Sequence, residues 1–363
     1  MISFDNIKIH ERPYDKLINL LGQETKLNFF YYRRNFIERR IKSRMIRTNC
    51  YTLKSYYNYI LANKDDEIKK FLDNFNINYS YFFRNWEVFD LFQTLFLRSL
   101  NVDEDSIITD LRPNPLKIRK KKAKSKKKKG QKRKVVPHNN LKQLKIRNTL
   151  NKPVMIKDPK PIKRFYSENS ISYLKLTSLH EKVKSWKKKQ NPINIWSCPC
   201  ASGEEPYSIA MILDNLRHQI PDFPDYDIKA SDIDQEALIK AKNGIYSKES
   251  TKDISSYFEN RYFSKTPDYF GYKYLLKKEI INQVHFIKED ITKWQDCKVK
   301  FDVIFFRYLL IYFDRENRNN VIKIIENQLR KGGLLFLGKT ETLFNSESAL
   351  KLVDSRDHIY MKQ

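Results

Sequence analysis

The stretch that decides the fold is Ile195-Trp-Ser-Cys-Pro-Cys-Ala-Ser-Gly-Glu-Glu-Pro-Tyr-Ser-Ile-Ala210. It begins as a short apolar strand, turns through small residues and enters an amphipathic helix. Gly203 lies in the turn, where a residue without a side chain is expected to let the backbone approach a ligand closely. The pattern therefore predicts a ligand site where this strand meets its helix.

The two carboxylates after the turn restrict the ligand. Glu204 and Glu205 begin the predicted helix, a position at which backbone N–H groups more often bind phosphate. Acidic side chains there argue against a pyrophosphate and favour a cationic or hydroxyl-rich ligand. S-adenosylmethionine fits this description, since it has an ammonium group, a sulfonium and a ribose diol.

From residue 193 onward, apolar strands alternate with helices. We predict strands at 193–197, 227–231, 284–287, 301–306 and 334–338, and helices at 235–242 and 317–329 besides the one after the turn. Residues 358–361 are expected to add an edge strand, and residues 243–282 to form an inserted subdomain. The alternation predicts an α/β domain with a mostly parallel sheet, whose ligand binds at the carboxyl ends of the strands.

Residues 1–98 have helical periodicity. Helices are predicted at 33–47, 53–61, 66–75 and 87–100. In the first of these, apolar side chains occupy one face and basic side chains the other: Arg33, Arg34, Arg39, Arg40, Lys42, Arg44 and Arg47. This basic face could steer an acidic partner, although an ordinary solvated helix face explains it equally well.

The positive charge of the chain is concentrated in one segment. The net charge is +27, and residues 115–165 contain 21 of the 70 lysines and arginines but a single acid, Asp158. Such a run repels itself and buries nothing, so we expect residues 99–190 to be a largely disordered insertion between a helical domain (1–98) and the α/β domain (191–363). The insertion could bind an anionic partner non-specifically.

Cysteine content and hydropathy restrict the compartment. The four cysteines are too few for a disulfide scaffold, and Cys198 and Cys200 do not have zinc-site spacing, so no metal is expected. The charged N-terminus is unlike a signal peptide, and no stretch is apolar enough to span a bilayer. These features favour a cytoplasmic protein.

Several side chains follow predicted strands. Asp232 ends the second strand, where an acid can accept hydrogen bonds from both ribose hydroxyls; an ordinary helix N-cap is the alternative, and Asp234 is the better candidate for that cap. Asp290 follows the third strand, a position that commonly touches an adenine amino group. Tyr308 and Tyr312 follow the fourth strand, where aromatic faces can stabilise a sulfonium.

Six motifs occur in an order that resembles the chemotaxis receptor methyltransferases, the CheR family. The motifs are Asn78-x-Ser-x-Phe-Phe-Arg84, Ala201-Ser-Gly-Glu-Glu-Pro-Tyr-Ser208, Ala230-Ser-Asp-Ile-Asp234, Asn243-Gly-Ile-Tyr246, Arg307-Tyr-Leu-Leu-Ile-Tyr-Phe313 and Gly338-x-x-Glu341. The resemblance covers about residues 15–98 and 192–362 and leaves out the lysine-rich segment.

The resemblance implies a fold and a reaction. The fold is a Rossmann-like S-adenosylmethionine-dependent methyltransferase domain with a small β-subdomain insert, preceded by an all-helical domain. The reaction is methyl transfer from S-adenosylmethionine to glutamate side chains of chemoreceptors. Their acidic helices would be the substrate, a receptor tail peptide could add to the β-subdomain, and the protein could be recruited to membrane receptor arrays.

The resemblance also implies roles for individual residues. Arg84 and Tyr312 would serve catalysis. The residues that would bind the cofactor are Asn78, Ser80, Arg84, Glu204, Asp232, Asp290, Ile291, Arg307 and Tyr308.

The chain departs from the family pattern at Tyr308, where the family usually has Asn. This exchange keeps open a catalytically weakened protein that binds cofactor or tethers receptors. An RNA methyltransferase or a methyltransferase of other proteins is a further alternative, in which the lysine-rich run would bind phosphates.

Overall fold

A computed structural model describes residues 11–75, 79–100, 107, 111, 192–269, 271–294, 299–343 and 348–363. Nearly all of the predicted insertion at 99–190 lies outside these residues, so its predicted disorder stays a prediction. No helix within the described residues is both long enough and apolar enough to cross a membrane.

Four helices form the N-terminal part of the described chain: α1 (Glu11–Thr25), α2 (Arg34–Arg47), α3 (Leu53–Ala62) and α4 (Lys64–Phe75). Thr52 and Ser55 form a reciprocal capping box that begins α3, and three acids in the first turn of α4 complement its helix dipole. Apolar side chains from all four helices share one core, as the predicted periodicity requires.

One residue of the predicted basic face of α2 was assigned wrongly. Arg44 is buried and forms a two-pronged ion pair with Glu67 of α4, with Nε–Oε1 at 2.9 Å and Nη2–Oε2 at 2.6 Å. The Tyr56 hydroxyl also donates to Glu67, at 2.7 Å. Arg44 therefore joins two helices inside the domain and is not available to a partner, whereas Arg39 and Arg47 remain exposed.

Helix α5 (Trp86–Ser99) packs with the sheet and not with α1–α4. Phe89 stacks on Phe305, with ring centroids 5.9 Å apart, and Phe92 meets Phe336 at 6.0 Å. The helical core itself ends at Phe75. The domain boundary that we placed at residue 98 stays a prediction, but this packing assigns α5 to the core of the second domain.

The second domain contains a seven-stranded sheet in the order β6-β2-β1-β7-β8-β10-β9. Its strands are β1 (Ile193–Ser197), β2 (Tyr226–Asp232), β6 (Val284–Lys288), β7 (Phe301–Phe306), β8 (Leu329–Leu337), β9 (Leu350–Asp354) and β10 (Ile359–Lys362). The first five are parallel to one another, and β10 runs antiparallel to both β8 and β9. Our prediction that the C-terminal strand lies at the edge is wrong, because β9 pairs with its outer side.

Helices α6 (Glu204–Arg217), α7 (Gln235–Asn243) and α10 (Arg315–Gln328) follow β1, β2 and β7. Between α7 and β6 lie α8 (Ser256–Tyr262), α9 (Lys278–Ile281) and a small antiparallel sheet in the order β3-β5-β4. Its strands are β3 (Ile245–Tyr246), β4 (Phe263–Asp268) and β5 (Gly271–Leu276). The position of this sheet agrees with the subdomain predicted at 243–282.

The helical domain is fastened to the loop after β7. The Arg33 backbone N–H donates to the Tyr312 carbonyl at 2.8 Å, and Arg33 Nε donates to the Phe313 carbonyl at 2.9 Å. Tyr32 and Phe313 form an isolated antiparallel bridge. These bonds hold the helical domain over the carboxyl ends of the parallel strands.

Candidate active site

A cavity lies where the helical domain covers the carboxyl ends of β1, β2, β6 and β7. Cys198, Asp232, Asp290 and Ile291 line its floor and sides. The helical domain contributes aromatic side chains: Tyr32, Phe36 and Phe75. The walls combine apolar surface with a few carboxylates, as in many small-molecule sites.

Asp232 is held by the turn that follows β1. Its carboxylate accepts hydrogen bonds from the Ala201 N–H at 2.7 Å and the Asp234 N–H at 2.9 Å. Burial raises the pKa of Asp232 to about 6, while these backbone donors oppose the rise. Each carboxylate oxygen retains lone pairs that can accept further hydrogen bonds. Asp234 is the N-cap of α7, as predicted, so Asp232 does not have that role.

Asp290 lines the same cavity while capping a short 3-10 turn (Ile291–Lys293). Its Oδ1 accepts hydrogen bonds from the Thr292 N–H at 2.9 Å and the Thr292 hydroxyl at 2.7 Å. Ile291, at the start of this turn, is buried against the cavity. Glu289 also lines the cavity and pairs with Lys229 at 2.7 Å.

Gly203 has a different structural role from the predicted one. Its φ is +89°, and a Cβ there would lie 2.8 Å from the Ala241 Cβ and 3.0 Å from Tyr207 Cε2. The atoms that exclude a side chain therefore belong to α7 and α6. Glycine is required because the turn is left-handed and because α7 packs directly against it.

The two acids that follow Gly203 have different hydrogen-bond partners. Glu204 is 2% exposed, accepts from the Ser202 hydroxyl at 2.8 Å, and has a pKa raised by burial. Glu205 accepts from the Ser197 hydroxyl at 2.8 Å and pairs with Arg307 at 2.9 Å. Neither is among the residues that line the cavity.

Arg307 is buried beneath the site and connects β7 to the segment before α5. Besides Glu205, its guanidinium donates to the Arg84 carbonyl at 2.7 Å and to Asn85 Oδ1 at 2.9 Å. All of these contacts are with protein atoms, and Arg307 does not line the cavity. These contacts fix Arg307 between two segments of the chain, and the cofactor contact implied by the resemblance stays a prediction.

Tyr308 lines the cavity in a left-handed backbone conformation, with φ of +66°. Its N–H donates to Glu341 Oε2 at 2.7 Å, and the Gly338 N–H donates to the same oxygen at 2.8 Å. Burial raises the pKa of Glu341, and backbone N–H donors oppose this effect. The Gly338-x-x-Glu341 motif thus fixes the loop that carries Tyr308.

Arg84 and Tyr312, the two predicted catalytic residues, lie near each other. The Arg84 guanidinium is 3.8 Å from the centroid of the Tyr308 ring, while Tyr312 lines the cavity and packs against Phe36 at 4.8 Å. Burial raises the pKa of Tyr312, and the positive charges of Arg40 and Arg84 lower it. Arg84 itself lies behind Tyr308 and is not part of the cavity lining.

Two of the predicted cofactor-binding residues, Asn78 and Ser80, belong to the segment before Arg84. Asn78 lies outside the described residues, and Ser80 is half-buried in the segment that leads to Arg84. The structure thus brings Asp232, Asp290, Ile291, Tyr308 and Tyr312 together around one cavity. Cys198, Glu289 and the aromatic residues of the helical domain were missed from the sequence.

Comparison with known proteins assigns the family. Residues 163–359 match the family described as CheR methyltransferase, SAM binding domain, and residues 12–75 match CheR methyltransferase, all-alpha domain. The chain belongs to the CheR methyltransferase family. The predicted fold class is thereby confirmed: an all-α domain precedes a Rossmann-like domain that binds S-adenosylmethionine.

Individual relatives support the same assignment. Chemotaxis protein methyltransferase 2 of Vibrio cholerae is 43% identical over 155 residues, which cover 42% of this chain and 52% of that protein. The chemotaxis protein methyltransferase of Borreliella burgdorferi is 36% identical over 172 residues, covering 46% of this chain and 58% of that protein. The CheR chain described here thus spans about half the length of these curated relatives.

A solved structure of a TehB-like SAM-dependent methyltransferase from Corynebacterium glutamicum is also similar, at 11% identity and a TM-score of 0.29. It covers 48% of this chain and 83% of that one. The family assignment rests on the sequence matches, since a TM-score this low supports no further argument.

The cavity fits the cofactor of the family. Asp232 offers acceptor lone pairs for hydroxyl groups, and Tyr308 and Tyr312 offer aromatic faces for a positive sulfur. Carboxylates in the cavity disfavour a phosphate and match the positive charge of S-adenosylmethionine.

Proposed function

We propose that this CheR protein transfers a methyl group from S-adenosylmethionine to glutamate side chains of chemoreceptors. The observation that carries the proposal is the single cavity in which acids at the strand ends face aromatic side chains of the helical domain. The names of the relatives, chemotaxis protein methyltransferases, support an acceptor that belongs to a chemotaxis system.

The proposed acceptor needs little chemical activation. A glutamate side chain has a pKa of about 4.3, so it is already an ionised nucleophile near neutral pH. S-adenosylmethionine, when bound, supplies an electrophilic methyl group. The task left to the protein is to exclude water and align the acceptor, which can lower a barrier by roughly 7–11 kcal/mol.

Arg84 and Tyr312 are the groups that we assign to this alignment. The guanidinium of Arg84 can attract an incoming carboxylate, and the half-buried hydroxyl of Tyr312 can donate a hydrogen bond to it. Enclosure by Tyr32 and Phe36 keeps water from the reacting atoms.

The docking of the acceptor is proposed to use the exposed basic side chains of α2. Arg39 and Arg47 remain exposed after Arg44 is taken into its buried ion pair. Acidic helices of a receptor would be drawn to them, with an attraction that weakens as salt is added. A receptor tail could add a strand to β4, which is an edge strand of the small sheet and is mostly exposed, and such tethering would recruit the protein to receptor arrays.

The test is a methyl-transfer assay with purified protein, S-adenosylmethionine labelled in its methyl group, and chemoreceptor-containing membranes. We expect label in the receptor band, and we expect base to release it as methanol, because methyl esters are labile to base. Arg84→Ala should largely abolish the transfer. A matched control is Arg217→Ala, which removes an exposed arginine at the far end of α6 and should leave the rate unchanged.

RNA added in place of receptor membranes tests the main alternative. Base-stable label in RNA would overturn the proposal in favour of a nucleic-acid methyltransferase. Calorimetric binding of S-adenosylhomocysteine without transfer to any receptor would favour a protein that binds cofactor but has lost activity.

A further inference from the structure

We propose that Tyr308 is a positioning residue whose ring, which lines the cavity, holds the Arg84 guanidinium in place for the acceptor. The inference rests on the proposed function for its catalytic consequence, while the stacking itself can be tested without any activity.

The first observation is the stack. Arg84 Cζ lies 3.8 Å from the centroid of the Tyr308 ring, well inside the roughly 6 Å over which a cation and an aromatic face attract each other. Arg84 Nη1 also donates to the Tyr79 carbonyl at 2.8 Å. The ring and the carbonyl together restrict a side chain that would otherwise be free to rotate toward solvent.

The second observation is that neighbouring residues hold the backbone, the hydroxyl and the ring of Tyr308 in place. The backbone N–H of Tyr308 is bound to Glu341, and its hydroxyl donates to Asn85 Oδ1. A Cβ at Gly338 would lie 2.8 Å from the ring, so the absence of a side chain there makes room for it. A tyrosine in a left-handed conformation is unusual, and such strain persists only where the surroundings determine it.

The third observation links the two ends of the stack. Asn85 Oδ1 accepts hydrogen bonds from both Tyr308 and Arg307, and Arg307 also binds the Arg84 carbonyl. The backbone and the side chain of Arg84 are therefore fixed by the same buried group of residues.

A double-mutant cycle tests the positioning role, with kcat and KM for the receptor acceptor measured separately. Tyr308→Leu should lower kcat/KM about ten-fold in the wild-type background, the size expected for a close, partly buried cation–π contact. In the Arg84→Ala background, the same substitution should cause a clearly smaller loss, because the part that acts through Arg84 is gone and only the ring's own contact with the cavity remains. Tyr308→Phe keeps the ring and should lose only about three-fold, from its missing hydroxyl contact.

A second readout needs no activity. In nitrogen-15 spectra of arginine side chains, the Arg84 Nε–H signal should be displaced by the ring current of Tyr308. This displacement should persist in Tyr308→Phe and fall to a small remainder in Tyr308→Leu, where only the Tyr79 ring, 5.7 Å from Arg84 Cζ, still faces the guanidinium. The control is Tyr226→Leu, which removes the ring beneath Arg217, where Cζ lies 4.5 Å from the centroid, and should leave the Arg84 signal in place.

The outcomes separate this inference from the proposed function. Additive losses in the cycle, or an Arg84 signal unaffected by Tyr308→Leu, would overturn the positioning role. A displaced Arg84 signal in a protein that methylates no receptor would support the stack and count against the proposed function alone.

Discussion

Gly203→Ala probes the turn on which the whole site depends. The backbone at Gly203 has φ of +89° and ψ of 0°, and it begins α6. The added methyl group would lie 2.8 Å from the Ala241 Cβ, 3.0 Å from Tyr207 Cε2 and 3.2 Å from Phe286 Cζ. Two separate costs follow: a strained left-handed alanine, and an overpacked contact between α6 and α7.

The magnitudes of these costs can be worked out from general values. The left-handed conformation costs about 1–2 kcal/mol for a residue with a Cβ. Overpacking of a filled interior costs about 1–3 kcal/mol more. The side chain of Ala241 is a single methyl group, so it cannot rotate away from the added atom. The two costs together should lower the free energy of unfolding by about 2–5 kcal/mol, and the urea midpoint by about 1–2 M.

Gly332→Ala is the matched control. Gly332 also has a positive φ, +76°, but an added Cβ would meet nothing within 4 Å. This variant should therefore show the conformational cost alone. Urea unfolding can be followed by the fluorescence of Trp196, which is fully buried in β1 and lies 4.5 Å from Trp294. The reasoning is refuted if Gly203→Ala lowers the free energy of unfolding no more than Gly332→Ala does, with the same dependence of that free energy on urea concentration.

Three further predictions concern buried groups. Burial raises the pKa of Asp232 to about 6. Without ligand, the free energy of unfolding should therefore decrease as pH rises from about 4 to 6, because the unfolded protein ionises this carboxyl over that range while the folded protein resists ionisation. The ionised carboxylate accepts hydroxyl groups better, so calorimetric affinity for S-adenosylhomocysteine should rise about ten-fold from pH 5 to 7, and Asp232→Asn should remove that rise. Glu67→Gln leaves the Arg44 charge buried and unpaired and should destabilise the helical domain by about 3–5 kcal/mol in thermal unfolding, whereas Asp66→Asn, in an exposed pair, should cost under about 1 kcal/mol. Tyr312→Phe should lower kcat for methyl transfer at least ten-fold without changing the melting temperature, since the ring packing on Phe36 is kept; an unchanged kcat would exclude a role for the hydroxyl.

The strands that were easiest to predict are the ones buried on both faces. Residues 193–197 and 301–306 were predicted with the bounds that the structure shows, because uninterrupted apolar runs are the signature of central parallel strands. Acids that follow such strands necessarily arrive at one edge of the sheet. For this reason Asp232 and Asp290 could be placed in one cavity from local sequence alone.

The features that were missed depend on contacts between distant parts of the chain. Arg44 counts as a surface charge in any pattern, and only the approach of Glu67 from another helix shows that it is buried. Phe36 belongs to the apolar stripe of α2, and its periodicity could not show that it also reaches the cavity. The ion pair of Arg307 with Glu205 could not be predicted either, because the two residues lie 102 positions apart in sequence.

Strained backbone occurs at the cavity and bears on how the site works. Ala201 (φ 45°) and Tyr308 (66°) line the cavity, and Asn85 (60°) accepts a hydrogen bond from the Tyr308 hydroxyl. Each such conformation costs about 1 kcal/mol or more, so the hydrogen bonds of the surrounding segments must hold it. Arg307 and Glu341 make several of these bonds to loops on either side of the cavity. Two buried charges that never line the cavity therefore set the geometry of the tyrosines that do, and substitution of either should misplace Tyr308 and Tyr312 together.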